Sequence, residues 1–144
     1  EHIVLCLSDG LLAQCGIDLD THRGEIASGD LSSLRGCPFV LGSAEDIGGR
    51  IGRGLLRSSG VSPVSKATSE NVETLLALCV QGVGACFCPE NLLQTALSPE
   101  QLAHLHILPL CPEASYPICF GYLSRSYPWS VLSEFIRIAR EQTA

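Results

Sequence analysis

The stretch Ser69–Pro89, SENVETLLALCVQGVGACFCP, decides the fold. Ser69 is a candidate helix N-cap, and Glu70 and Glu73 suit the positive end of a helix dipole. Val72, Leu75, Leu76 and Cys79 recur at the i, i+3, i+4, i+7 spacing of one helix face, which predicts a helix over Glu70–Gln81. Gly82 ends it, because glycine enters the left-handed conformation at little cost. Val83–Cys88 is a short apolar run closed by Pro89, the pattern of a strand buried on both faces. Gly84 fits a place where strand backbone and helix pack closely.

The same alternation extends outward. Cys37–Leu41 and Val64–Ala67 read as strands, with a helix over Asp46–Arg57 between them. Strand–helix–strand–helix–strand predicts an α/β, three-layer fold with a mostly parallel sheet and right-handed crossovers. The strands 37–41, 64–67 and 83–88 should then be neighbours. Upstream, Ile3–Leu7 reads as a strand and Asp9–Cys15 as a turn and short helix. Gly16–Gly29 has no clear periodicity and reads as a loop or irregular insertion. Leu31–Arg35 is a helical turn capped by Asp30. Downstream, Glu90–Ala96 and Pro99–His104 are helical turns, and Leu105–Leu110 and Pro117–Leu123 are strands. Trp129–Gln142 is a last helix, with Leu132, Phe135, Ile136 and Ala139 on one stripe.

The 144 residues suit one domain, and 46% hydrophobic with 17% charged residues describes a folded chain. A net charge of −6 argues against direct phosphate binding by this chain. Ile3–Leu7 has no basic leader before it, and Thr74–Pro89 is too short and glycine-rich to span a membrane. The absence of methionine fits a processed chain or an excised fragment. Most of the eight cysteines fall in apolar strand or helix patterns, where Cys behaves as a small hydrophobe. Reduced cysteines in a cytoplasmic protein are the reading preferred over a disulfide framework.

The ordered set of motifs resembles the effector-binding domain of LysR-type transcriptional regulators. The resemblance rests on the Ser–Glu stretch, the Leu-rich helix, Gly82-x-Gly84 and the strand ending in Pro89, with CPFVLG at Cys37–Gly42 upstream and the later strands and C-terminal helix downstream. It implies a subdomain like the type II periplasmic binding proteins. Residues 1–30 would be a crossover strand and irregular segment, 31–116 the second subdomain, and 117–144 a return crossover strand and C-terminal helix. It further implies a small-molecule effector, polar or carboxylate, in a cleft between subdomains, and a homo-oligomer. DNA would be bound only through an N-terminal winged helix-turn-helix that this sequence lacks.

Four constellations could carry chemistry. Leu41, Gly42 and Ser43 with Thr68, Ser69 and Glu70 fall at strand carboxyl ends beside helix starts, where open α/β sheets bind ligands. The plainer alternative is that both serines cap helices. The resemblance brings the site reading level with this alternative, since the matching positions line the family's cleft. GGRIGRG at Gly48–Gly54 lacks either phosphate-loop pattern and reads as close helix packing. Cys86-x-Cys88 with His104-x-His106 lacks the usual zinc-ligand spacing, so core cysteines and surface histidines are preferred. No G-x-S-x-G elbow is present, and Asp18, Asp20, Glu45 and Asp46 read as loop or first-turn acids. The preferred reading is therefore a ligand sensor with no catalytic residue, metal or cofactor. The alternatives are a small cytoplasmic α/β enzyme with a Cys or metal centre, and a transporter's solute-binding protein.

Overall fold

The computed structural model describes residues 1–123 and 129–143. Residues 124–128 and 144, within the expected return segment, lie outside the described residues. In chain order the elements are β1 (Ile3–Ser8), α1 (Asp9–Cys15), α2 (Leu19–Ala27), β2 (Pro38–Gly42), α3 (Ile47–Ser58), β3 (Val64–Ser69) and α4 (Val72–Val80). Then come β4 (Cys86–Pro89), α5 (Leu93–Ala96), α6 (Pro99–Ala103), β5 (Leu105–Pro109) and α7 (Ser130–Thr143), with 3₁₀ turns at Ser32–Leu34 and Glu90–Leu92.

β2 and β3 pair in parallel. β4 touches β2 just ahead of its own start, through a parallel bridge between Phe39 and Ala85. There Val40 N–H donates to Ala85 O at 2.9 Å and Ala85 N–H to Pro38 O at 2.8 Å. The three expected core strands are thus side by side, with no antiparallel contact among them. A mostly parallel sheet is not what forms, however. β1 lies between β4 and β5 and pairs antiparallel with both. Alternation fixes strand direction only where a helical crossover joins neighbours. The connection from β4 to β5 leaves a gap one strand wide, and β1 fills it running the other way.

β1 is buried along its whole length, and successive side chains go to opposite faces. Ile3, Leu5 and Leu7 join Leu11, Ile26, Phe39, Leu56 and Phe87 in one core, under α1, α2 and α3. Val4 and Cys6 join Val40, Leu75, Leu76, Cys79, Cys86 and Leu93 in the other, under α4 and α5. Helices therefore cover both faces of the strands.

Three sequence expectations need correction. The segment expected to be irregular, 16–29, contains α2. Its signal is weak because only Leu19 and Ile26 are buried. A strong cap compensates: the Asp18 carboxylate accepts from Asp20 N–H at 3.0 Å and from the Thr21 hydroxyl at 2.7 Å. Pro117–Leu123 forms no strand, since among the described residues no neighbouring strand supplies a ladder; Ile118, Phe120, Tyr122 and Leu123 are exposed. The strand expected at Val83–Cys88 begins at Cys86, and Val83 is exposed.

Gly84 is followed by a very close approach. A Cβ on it would lie 2.7 Å from the Phe39 carbonyl carbon, so only glycine lets this backbone meet β2. The glycines of α3 act the same way. A Cβ on Gly49 would lie 2.3 Å from Ser43 O, and one on Gly52 would lie 2.3 Å from the Phe87 ring. Phe87 stacks on Phe39 with ring centroids 5.9 Å apart. The packing reading of Gly48–Gly54 thus holds. Gly49→Ala should destabilise the fold by about 1–3 kcal/mol, the usual range for forced overpacking. Gly54 is exposed with nothing within 4 Å of its would-be Cβ, so Gly54→Ala should stabilise by about 0.5–1 kcal/mol. Urea unfolding of the two variants checks both signs.

Candidate functional site

The register brings the two sequence-predicted segments together. Leu41 pairs with Thr68 and Gly42 with Ser69, so the carboxyl ends of β2 and β3 finish level. Leu41 and Gly42 are buried, Ser43 and Ser69 half-buried, and Thr68 and Glu70 exposed. All six expected residues therefore sit at one edge, from a buried floor to an open rim. Both following helices start there: α3 after Asp46 and α4 after Asn71.

The caps are not the serines. The Asp46 carboxylate accepts from Gly49 N–H at 2.8 Å, and the Asn71 side chain accepts from Thr74 N–H at 2.9 Å. Ser43 and Ser69 each hold the turn that leads into a cap. Ser43 Oγ accepts from Asp46 N–H at 3.3 Å, and Ser69 Oγ accepts from Asn71 N–H at 3.1 Å. A hydroxyl used as an acceptor in this way still has a proton to donate. Ser69 as N-cap is thus corrected to Asn71, two residues on; the chain reaches non-helical capping geometry only after β3 ends at Ser69.

Sequence reasoning missed Arg53 as a member of this edge. Its Nη1 donates to Gly42 O at 2.6 Å and to Gly49 O at 3.5 Å, binding the last carbonyl of β2 to α3. No motif marks it, because the contact depends on the glycine-permitted position of the helix. Asn71 carried a legible signal, an Asx residue three before Thr74, and the neighbouring Ser69 masked it.

Beside the start of α3 is an open hollow of about 570 Å³, lined by Ile47, Arg50, Ile51, Tyr116 and Pro117. Burial, with the Glu1 and Asp46 carboxylates nearby, raises the Tyr116 hydroxyl above its usual range. Tyr116 also marks where two chain passages meet. Tyr116 N–H donates to Glu1 O, and the Glu1 ammonium donates to Tyr116 O, both at 2.9 Å. An antiparallel bridge joins His2 to Ser115 beside them.

The Cys–His constellation is not assembled. Cys86 and Cys88 pair with β1 on one side, whereas His106 pairs with Leu7 from the other. His106 Nε2 and His104 Nδ1 instead approach the two oxygens of Asp9, at 2.6 and 3.2 Å. Hydrogen bonds from His106 and then His104 hold the Asp9 carboxyl below its usual range. Among the described residues no three His, Cys, Asp or Glu side chains are grouped to hold a metal ion. No helix among them is long and apolar enough to cross a membrane.

The LysR substrate binding domain family matches residues 1–144, the entire chain. The chain belongs to that family. Solved structures agree on the fold. HinK, a LysR family transcriptional regulator from Pseudomonas aeruginosa, superposes with a TM-score of 0.65 at 16% identity, over 99% of this chain and 46% of that one. A second, putative LysR family regulator from Pseudomonas aeruginosa gives 0.61 at 16% identity, over 100% of this chain and 46% of that one. The effector binding domain of QuiR, in complex with shikimate, gives 0.60 at 12% identity, over 99% and 61%. This LysR-type domain thus spans less than half the length of the two regulators. No curated protein matches it.

The corrected caps give a direct test. Asn71→Ala should lower the unfolding free energy by about 1 kcal/mol, the usual value of an N-cap, and Ser69→Ala by less. Equal or reversed losses in urea melts would return the cap to Ser69.

Proposed function

We propose that this chain is the ligand-sensing part of a LysR-type transcriptional regulator, binding a small polar or carboxylate effector at the level ends of β2 and β3. The observation that carries this reading is the register of Leu41 with Thr68 and Gly42 with Ser69, with two helix starts at the same edge. Hydroxyls of Ser43, Thr68 and Ser69 would donate to the effector, above a floor of Leu41 and Gly42, with Glu70 at the rim. Backbone N–H groups at strand and helix ends add positive potential suited to an anion. Family membership favours regulation over catalysis. QuiR's domain holds shikimate, and a small hydroxylated carboxylate of that kind is the chemistry these groups suit.

In this reading residues 31–116 form one wall of a cleft. The paired passages at Glu1–His2 and Ser115–Tyr116 lead toward the other wall, and the hollow at Tyr116 lies on that side. DNA would be contacted by another part of the regulator, since this chain has a net charge of −6. The protein would act in the cytoplasm, where the resting state of its cysteines is reduced. The test is Ser43→Ala in the complete regulator. The effector concentration for half-maximal response should rise about fivefold, equivalent to about 1 kcal/mol for one hydrogen bond. An unchanged dose–response curve would leave Ser43 with only its turn.

The regulator would also be a homo-oligomer, and the isolated chain should self-associate. Phe120, Trp129, Val131, Phe135 and Ile138 are exposed, and Phe120 and Phe135 meet edge to face at 5.3 Å. Burying each large side chain is worth about 1.5–3 kcal/mol. Sedimentation equilibrium should show mass rising with concentration, and Phe135→Glu should suppress the rise. A monomer of unchanged mass at high concentration sinks the idea.

A further inference from the structure

Cys15 is the last residue of α1, and Cys37 leads directly into β2. Their Sγ atoms are 3.7 Å apart. Both line an open hollow of about 210 Å³, which they share with Arg35. Cys15 is half-buried and Cys37 is 2% exposed, so a reagent in the hollow meets Cys15 first. Cys6 and Cys88, with sulfurs 3.6 Å apart, lie instead in the core with both residues at 0% exposure, out of a reagent's reach.

The hydrogen bonds give the two thiols different roles. Cys15 S–H is directed at the Cys37 sulfur, while Cys37 S–H is directed at Pro38 O at 3.6 Å. Cys37 therefore presents a lone pair to Cys15. Burial, and then the neighbouring Cys15, raises the Cys37 thiol above its usual range, which leaves the first attack to the more accessible Cys15.

We propose that Cys15 and Cys37 form an oxidisable dithiol, a modification site that a low-molecular-weight disulfide of the glutathione type converts into an intramolecular disulfide. Cys15 releases its proton to water, and its thiolate attacks one sulfur of the reagent. The reagent's S–S bond breaks and one small thiolate leaves. Cys37 then gives up its proton to solvent and attacks the Cys15 sulfur, expelling the second small thiolate. The protein loses two protons and two electrons, and the reagent gains both as two free thiols. Arg35 at the hollow attracts the carboxylates of such a reagent. Closing the bond brings the sulfurs to about 2.05 Å. The product ties the end of α1 to the start of β2 and encloses α2 in a covalent loop. That loop restricts the unfolded chain, so oxidation raises Tm.

The test uses the chain with Cys119→Ser, because Cys119 is exposed and would react on its own. It is incubated with oxidised glutathione, then unfolded in an alkylating reagent and digested with trypsin without reduction. Cleavage after Arg23, Arg35 and Arg50 puts Cys15 in peptide 1–23 and Cys37 in peptide 36–50. The expected result is the loss of two alkylatable thiols and a covalent pair of these peptides. The pair disappears with Cys15→Ser, which also excludes Cys6 in the same peptide. A rise in Tm, reversed by dithiothreitol, accompanies it. Glutathione retained on Cys15 with Cys37 still alkylated would overturn the proposal. So would a linked pair that survives Cys15→Ser, or full alkylation of both cysteines after exposure. Cys15→Ser alone decides the matter if Cys37→Ser does not fold.

Discussion

The approach of α3 to the strands is the constraint from which the site's geometry follows. Gly49 lets the helix start against the backbone of Gly42 and Ser43, and Gly52 lets its next turn rest on Phe87. Side chains at either position would push the helix away by the thickness of a methyl group or more. Glycine inside a helix costs roughly 1 kcal/mol relative to alanine, so a helix containing Gly48, Gly49, Gly52 and Gly54 is a poor one by propensity. Packing compensates: Leu56 is fully buried beneath it and Ile51 is half-buried. Only from this position can Arg53 reach the last carbonyl of β2 and Asp46 cap the helix beside Ser43.

How much of this was legible depends on whether the cause is local. The spacing of Val72, Leu75, Leu76 and Cys79 identifies α4, because a helix face is set by neighbours in sequence. Gly82 as its stop is confirmed by a φ of 77°. The helix, strand and glycine arguments over 37–89 all refer to contacts within two consecutive crossovers, and they hold to within two or three residues. The direction of β1 is different, since nothing in Ile3–Leu7 encodes which neighbour it will find. α2 escaped notice because two buried residues two turns apart make no readable stripe. Pro117–Leu123 has the alternation of a strand, but alternation describes a face and not a partner.

The same division runs through the candidate site. That Leu41–Ser43 and Thr68–Glu70 come together follows from parallel pairing of successive strands, which alternation implies. Which side chain caps each helix is decided by where the strand releases the chain, a matter of one or two residues. Two candidates two residues apart, Ser69 and Asn71, both have the chemistry, and only backbone geometry separates them. Arg53 belongs to neither class. Its role comes from a helix surface and a strand end meeting at a distance that glycine allows, and such a meeting leaves no pattern in a linear sequence.

The central place of β1 also bears on how this chain acquires its structure. Val4 pairs with Cys88 on one side and with Pro109 on the other, so β1 leaves the ribosome well before either of its neighbours exists. Until β4 and β5 have been synthesised, Ile3–Leu7 is an apolar ribbon with two unpaired edges, a form that invites pairing with other chains. Its contacts are also far apart in sequence, which slows folding at a given stability. The nascent chain is therefore exposed to misassembly while the segment from β1 to β5 is being translated. A chaperone that shields short apolar segments would be needed at β1 throughout that interval, and a loss of solubility on fast overexpression would originate there.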